Sequence, residues 1–260
     1  MQPYLEFAID LAKEAGAIML ENFKLGMKKE FKADNSPLTV TDTTINDLVI
    51  ERVKSAYPGH VVLGEEANFP VDGSEYVWVV DPVDGTAPFS HGVPCFAFSL
   101  ALTYKGESIV GVVNDPVMGR LLWAEKGKSA FMNGQPIKVS DSPNLAHTML
   151  NIDGPRDDAY PEDHIRVMIN ERKGRITKLS SLVYGGMLVA LGEYVAETSS
   201  GWYPWDIAAL KVIVEEAGGK VTGLHGEEQL YDRKIQGALI SNGLVHDEVL
   251  SLINMNKTAQ

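Results

Sequence analysis

The sequence predicts a mixed α/β (α+β) protein, with a partly antiparallel sheet in its first half and a smaller α/β layer in its second. Three observations predict it. Of 260 residues, 45% are hydrophobic and 22% charged, a globular composition with enough apolar surface for a large core. Residues 61–125 read as short β runs separated by turn residues, and after residue 145 strands and helices alternate. No internal repeat, low-complexity stretch or Gly/Pro/Ser-rich linker divides the chain, so residues 1–260 read as a single catalytic unit with sub-halves of roughly 1–142 and 143–260.

Leu5, Ala8, Ile9, Ala12, Ala15, Met19 and Phe23 recur at three- and four-residue spacing, which predicts a long first helix with one apolar face. A second helix, capped by Asp42 or a neighbouring Thr, carries Ile45, Leu48, Val49 and Val53 and stops at Tyr57-Pro58-Gly59. Strands are expected at 61–64, 76–80, 95–104, 108–114 and 120–125. In the third of these, Phe96, Phe98, Leu100, Leu102 and Tyr104 alternate with Ala97, Ser99, Ala101 and Thr103, so one face is bulky, the other small, and both are covered. Lys105-Gly106 and Asn133-Gly134 supply hairpin turns, which makes part of this sheet antiparallel. The second half is expected to hold strands at 147–151, 175–179, 194–198, 219–222 and 236–241, and helices at 160–172, 182–192, 205–217 and 244–254.

Charge and composition exclude several function classes. The 23 basic and 35 acidic residues leave a net charge of −12, which disfavours nucleic acid and anionic membrane surfaces. The one basic cluster, Lys24 to Lys32, reads as a solvated helix end and loop. The most apolar stretch, Val93 to Leu102, is about half of the ~18–20 residues that cross a bilayer. The opening MQPYLEFAID lacks the basic start and apolar core of a signal peptide, so a cytoplasmic location is expected. Cys95, the single cysteine, excludes an intramolecular disulfide and a thiolate zinc cage, and reads as a buried thiol.

The densest chemical signal is Trp78-Val79-Val80-Asp81-Pro82-Val83-Asp84-Gly85-Thr86, where an apolar strand runs into two carboxylates on a turn. Pro82 stiffens that turn and Gly85 permits it, so both carboxylates can converge on one point, where their charges repel unless a cation lies between them. Oxygen-only ligation suits Mg²⁺, which takes further ligands from water and a substrate phosphate. Glu65-Glu66 follows the strand at 61–64, and Asp206 opens a later helix, so both can join the cluster if those ends are adjacent. Asp115-Pro116-Val117-Met118-Gly119 is an internal control, the same kind of turn without the second carboxylate. There is no P-loop, calcium loop or Gly-x-Ser-x-Gly elbow, and the six histidines form no His-x-x-x-His pair.

Three motifs in order resemble the inositol monophosphatase family of lithium-sensitive, metal-dependent phosphatases. They are Gly64-Glu65-Glu66; Asp81 to Thr86 with Phe89, His91, Gly92, Pro94 and Phe96; and Trp205-Asp206-Ile207-Ala208-Ala209 with Glu216 to Gly219. The resemblance covers nearly the whole chain. It implies a layered αβαβα sandwich with the site at the junction of its halves, a homodimer, and a Mg²⁺-dependent phosphomonoesterase acting on a small phosphorylated metabolite. By position it assigns one Mg²⁺ to Glu65, Asp81 and the carbonyl of Val83, a second to Asp81, Asp84 and Asp206, and a third leaning on Glu65 through water, with Li⁺ as an inhibitor. Asp42 and Thr86 would orient and deprotonate the attacking water, and the N–H groups after Gly85 would bind phosphate oxygens.

Departures from the family pattern fall on the substrate side. Pro88 replaces an asparagine. Ser199 stands where inositol-hydrolysing members carry a glutamate for the sugar hydroxyls, and their Gly-Ser-Ala segment reads Ser180-Ser181-Leu182. With Asp84, Gly85, Thr86 and Asp206, the residues Ser181, Leu182 and Ser199 make up the expected substrate pocket, one less suited to a polyol than the inositol pattern. Trp202, Tyr203 and Trp205 offer rings for stacking or for core anchoring. The alternatives are therefore the same chemistry on histidinol phosphate, a nucleotide 3′-phosphate or a sugar bisphosphate, and, from another class, a regulatory binding partner with a vestigial or structural metal site.

Overall fold

The computed structural model describes residues 3–31, 37–70, 73–153, 162–201 and 203–255. The first apolar stripe forms α1 (Pro3–Asn22), and a small antiparallel arm of β1 (Glu30–Phe31) and β2 (Pro37–Leu38) leads into α2 (Val40–Ala56). Thr39 is the N-cap of α2, and Asp42, three residues on, accepts a hydrogen bond from the Thr39 backbone N–H, completing a reciprocal capping box.

The large sheet contains β3 (Val61–Gly64), β4 (Asn68–Phe69), β5 (Tyr76–Asp84), β6 (Ala97–Tyr104), β7 (Glu107–Asp115), β8 (Arg120–Glu125), β9 (Ala130–Met132) and β10 (Gln135–Pro136). Their order is β10-β9-β8-β7-β6-β5-β3-β4, antiparallel throughout except for the parallel pair β3 and β5. The bulky face predicted for β6 buries Phe98, Leu100 and Leu102 with Trp78 and Val80 under Leu11, Ala15 and Met19 of α1 and Ile45 and Val49 of α2. The small face has a different use. Ala97 and Ala101 join Val79 and Val113 beneath α6 (Ala208–Glu216) and α5 (Leu182–Ala190). At Gly111 on β7 a Cβ would stand 2.4 Å from the carbonyl oxygen of Ala209, so the glycine lets α6 lie directly on the sheet.

The second sheet, ordered β12-β11-β13-β15-β14, contains β11 (Met149–Asp153), β12 (Arg175–Thr177), β13 (Ala196–Ser199), β14 (Lys220–Thr222) and β15 (Ala238–Ser241). Its far face packs Leu150, Ile152, Ala196 and Leu239 against Ile165 and Ile169 of α4 (Glu162–Glu171) and Val249 and Leu252 of α7 (His246–Asn254). The layers therefore run αβαβα, with α5 and α6 between the sheets, as expected. Several details depart from expectation. β5 continues four residues past Val80, and the helix expected at 205–217 begins as a 3-10 turn at Pro204–Asp206 before α6. Cys95 is half-buried rather than buried, with its thiol 3.5 Å from the carbonyl of Leu179. Trp202 and the first two residues expected in the helix at 160–172 lie outside the described residues.

His246 fastens α7 to this sheet. It is fully buried, with Nδ1 2.8 Å from Ser241 Oγ and Nε2 3.0 Å from Thr222 Oγ1. Burial, reinforced by Lys220, lowers its pKa from 6.5 to about 4. The native state thus resists a proton that the unfolded chain accepts. The contribution is complete above pH ~6.5 and is lost as pH falls toward 4, on the order of 3 kcal/mol in all. Urea denaturation at pH 7 and pH 4.5 should show a larger acid loss for wild type than for His246→Gln; equal losses would assign the acid limb to other groups.

Candidate active site

The strand extension of β5 creates the site. Asp81 pairs with Ser99 and Asp84 with Ala97, so three residues on β5 span two on β6, with a register shift between them. Residues 81 and 84 of a regular strand would face opposite ways; the bulge turns both carboxylates to the face that carries α6. Ser99 Oγ donates to the carbonyl of Trp205 at 3.1 Å and fixes the turn that presents Asp206. Carboxylate oxygens of Asp81, Asp84 and Asp206 lie within 4.8 Å of one another. Parallel pairing extends past β3, where Glu65 N–H donates to the carbonyl of Val80 at 3.2 Å, and this sets Glu65 beside Asp81.

Asp81 is buried and accepts a 3.0 Å hydrogen bond from the N–H of Val83. Its carboxyl is held well above the usual carboxylate range, by burial first and then by the charges of Glu65, Asp84, Asp206 and Asp42. Asp84 is gripped from the other side. It accepts from the hydroxyl of Ser181, from Leu182 N–H at 3.2 Å and from Val183 N–H at 3.0 Å, so the N-terminus of α5 rests on this carboxylate. The acid in α2 faces the same motif. Asp42 Oδ2 accepts from Thr39 N–H at 2.9 Å and Thr39 Oγ1 at 2.6 Å, while Thr86 Oγ1 lies 3.0 Å from Asp42 Oδ1 and 2.9 Å from the carbonyl of Val83. Burial holds Asp42 above its ordinary pKa, against the pull of the Thr39 and Thr86 hydrogen bonds.

Gly85 joins Asp84 to α3 (Thr86–Ser90) at φ 85°, ψ 38°, a left-handed conformation. Of the remaining expected site residues, Leu182 is buried at the start of α5, and Ser199 is buried at the end of β13, where Oγ accepts from Gly201 N–H at 3.0 Å. A Cβ on Gly201 would stand 3.1 Å from Ser199 Oγ and 3.8 Å from Asp206 Oδ2, so Ser199 borders the cluster. The donor set is hard oxygen with excess negative charge, and the buried carboxylates repel one another. This fits a hard divalent cation and no softer group.

Comparison with known proteins agrees with this reading. The sequence model of the inositol monophosphatase family matches residues 1–257. The chain belongs to the inositol monophosphatase family. It is 33% identical to a histidinol-phosphatase of Chlorobaculum parvum, with 97% of each chain covered. It is 32% identical to a fructose-1,6-bisphosphatase/inositol-1-monophosphatase of Thermotoga maritima, covering 96% of this chain and 95% of the relative. Its structure superposes on a T. maritima inositol monophosphatase with a TM-score of 0.88 at 30% identity, over 99% of both chains. As a member of the family the chain is a phosphoric monoester hydrolase.

The threonine cap expected beside Asp42 is Thr39. Two features of this inositol monophosphatase-family site escaped the sequence reading: the grip of Thr39 N–H and Oγ1 on the Asp42 carboxylate, and Val183, whose contribution is a backbone N–H with no residue signature. Ser180, in place of the family glycine, sits at φ 57°. Ser180→Gly removes a left-handed penalty of ~1–2 kcal/mol and adds ~0.5–1 kcal/mol of unfolded-chain entropy. Calorimetry should therefore find the melting point unchanged or raised by roughly 1–4 °C. A fall of several degrees would mean that the Ser180 hydroxyl makes a stabilising contact of its own.

Proposed function

We infer that residues 1–260 act as one catalytic unit, a Mg²⁺-dependent phosphomonoesterase that hydrolyses inositol monophosphate or a related small phosphate by in-line attack of water. The observation that carries this reading is the convergence of Asp81, Asp84 and Asp206 within 4.8 Å beside the Thr86–Asp42 pair. Glu65, Asp81 and the Val83 carbonyl would hold one cation and Asp81, Asp84 and Asp206 a second, with Glu65 lending a third a water-mediated contact. Bound there, Mg²⁺ supplies positive charge to the phosphoryl oxygens and makes a nearby water more acidic. Thr86 and Asp42 handle that proton. With Asp42 ionised, Thr86 Oγ has two acceptors and one proton of its own; a proton passed from water through Thr86 would come to rest on Asp42, the carboxylate acceptor 3.0 Å away. The N–H groups following Gly85 would orient the phosphate, and the hydrogen bonds from Ser181 and α5 would keep Asp84 in place.

A second substrate reading has its own observation. Tyr203, 45% exposed, stacks on Trp205 with ring centroids 4.7 Å apart and planes 11° apart, directly before Asp206. With a serine at 199 and a leucine at 182, this pair favours an alcohol with a planar ring over a polyol. Histidinol phosphate or a nucleotide 3′-phosphate would present such a ring, and one relative is named a histidinol-phosphatase. A sugar bisphosphate would not use it. The regulatory-partner alternative is disfavoured because five mutually repelling carboxylates cost stability without a cation. The reading also includes a homodimer, a cytoplasmic location and inhibition by Li⁺. No helix among the described residues is long and apolar enough to cross a membrane.

The test is phosphate release from inositol phosphates, histidinol phosphate, adenosine 3′,5′-bisphosphate and fructose 1,6-bisphosphate, each with and without Mg²⁺. Release that requires Mg²⁺ is expected, and the preferred substrate decides between the polyol and ring readings. No release by folded, Mg²⁺-binding protein would move the regulatory alternative ahead.

A further inference from the structure

The turn that delivers Ser181 to Asp84 is held from beneath by a buried amide. Residues 177–181 leave β12, pass through Ser180 at φ 57° and enter α5 at its N-cap, Ser181. Such a turn needs support, because a serine held at a left-handed φ is strained and not self-sustaining. Asn151, fully buried in β11, provides it: Oδ1 accepts from Leu179 N–H at 3.0 Å and lies 3.1 Å from Thr177 Oγ1. With the amide oxygen committed to the turn, its nitrogen faces the other way, toward β13. There Glu197, also fully buried, is the register partner of Asn151. A Cβ on Gly185 would stand 2.0 Å from Glu197 Oε2 and 3.0 Å from Asn151 Nδ2, so both groups border one notch in the first turns of α5, open only because residue 185 is glycine. No hydrogen bond joins Asn151 Nδ2 to this carboxylate, and Nδ2 makes none elsewhere among the described residues; Glu197 acts on the amide as a nearby negative charge, which favours the orientation that turns Nδ2 toward it and leaves Oδ1 for Leu179.

We propose that Asn151, oriented by Glu197, is a positioning residue for the metal site: it fixes the 177–181 turn so that the Ser181 hydroxyl and the first N–H groups of α5 meet Asp84. Neither residue touches substrate. Their effect reaches the site through Leu179, Ser181 and Asp84, the manner in which outer partners of metal ligands commonly change affinity ~10–100-fold. The inference rests on the reading of Asp81, Asp84 and Asp206 as a cation site.

The experiment measures Mg²⁺ binding to the full chain by titration calorimetry, with no substrate present, alongside kcat and KM for phosphate release. Asn151→Leu removes the acceptor at similar volume and should weaken Mg²⁺ binding ~10–100-fold, lowering kcat at subsaturating Mg²⁺ while a native circular dichroism spectrum is kept. Asn151→Asp keeps the acceptor but sets a second carboxylate against Glu197, and should also weaken binding. Glu197→Gln added to Asn151→Asp restores one amide and one carboxylate, and should recover most of the loss, a non-additivity that general destabilisation does not produce. Wild-type Mg²⁺ affinity in folded Asn151→Leu would overturn the proposal. Should that variant not fold, an Asn151→Asp/Glu197→Gln pair no better than Asn151→Asp would overturn it equally. A wild-type chain that binds no Mg²⁺ would overturn the metal reading itself, and this inference with it.

Discussion

Asp81→Asn is expected to abolish phosphate release, by ~10³-fold or more, while making the metal-free protein more stable than wild type. The two effects share one cause. Asp81 is buried, and burial first, then the charges of Glu65, Asp84, Asp206 and Asp42, hold its carboxyl well above the usual carboxylate range. An asparagine there keeps an oxygen to accept from Val83 N–H, now made at 3.0 Å by the carboxylate, and removes one charge from the repelling set. A loss of 10³ corresponds to ~4 kcal/mol of transition-state stabilisation, the scale expected if Asp81 serves both cations of the proposed site. The pH dependence has a definite sign. For an acid whose native pKa is raised, the native state holds its proton more tightly than the unfolded chain does. Stability from this group is therefore greatest at acid pH and is lost as pH climbs through the raised native value. In EDTA, the wild-type melting point should fall between mildly acid and neutral pH more than that of Asp81→Asn. Added Mg²⁺ should raise wild type by the binding term RT ln(1 + [Mg²⁺]/Kd) and the variant by little. Equal Mg²⁺ shifts in the two proteins, or activity within tenfold of wild type, would remove Asp81 from the cation site.

The sequence exposes those parts of the fold that have a period or a punctuation mark. β8 is legible to the residue because an apolar run ends at charged residues on both sides, and the β6–β7 and β9–β10 hairpins are legible from Lys105-Gly106 and Asn133-Gly134. β5 is read short for a physical reason. Pro82 normally argues against a continuing strand, but it occupies the bulge, where pairing with β6 resumes at Asp84. Two-residue strands such as β1, β2, β4 and β10 are too short for periodicity to mark them. The candidate site divides in the same way. Glu65, Asp81 and Asp84 stand out locally because acids at the end of an apolar strand are conspicuous, and Asp206 because it opens a helix after Trp205. Their convergence depends on contacts distant in sequence: the parallel β3–β5 pair for Glu65, Ser99 on the carbonyl of Trp205 for Asp206, and the close approach of α6 at Gly111. Small residues on the hidden face of β6 and β7 are part of the geometry that brings these carboxylates together, although in the sequence they read only as a covered strand face.

Gly85→Ala should produce the second large effect, and Gly134→Ala is its matched control. Both glycines have nearly the same left-handed φ, 85° and 83°. Both substitutions therefore carry a left-handed penalty of ~1–2 kcal/mol. Their surroundings differ. A Cβ at 134 meets nothing within 4 Å, whereas at 85 it would stand 2.7 Å from the carbonyl oxygen of Cys95 and 2.9 Å from Ser181 Cβ. Neither obstacle is the end of a flexible side chain, so the backbone at 95 or the N-cap of α5 must give way, at a further ~1–3 kcal/mol. At roughly 2–4 °C per kcal/mol for a chain of this size class, Gly85→Ala should melt ~5–15 °C below wild type and Gly134→Ala ~2–8 °C below. The displacement also lands on the chemistry. Ser181 donates to Asp84, and Thr86, the next residue, pairs with Asp42, so one methyl disturbs both at once. Phosphate release by Gly85→Ala, measured well below its melting point, should drop ~10²-fold, the scale of a positional error near 1 Å, while Gly134→Ala keeps wild-type activity. If the two variants melt together and turn over alike, the crowding at Gly85 is relieved without moving Ser181 or Thr86, and the turn is not what holds those groups in register.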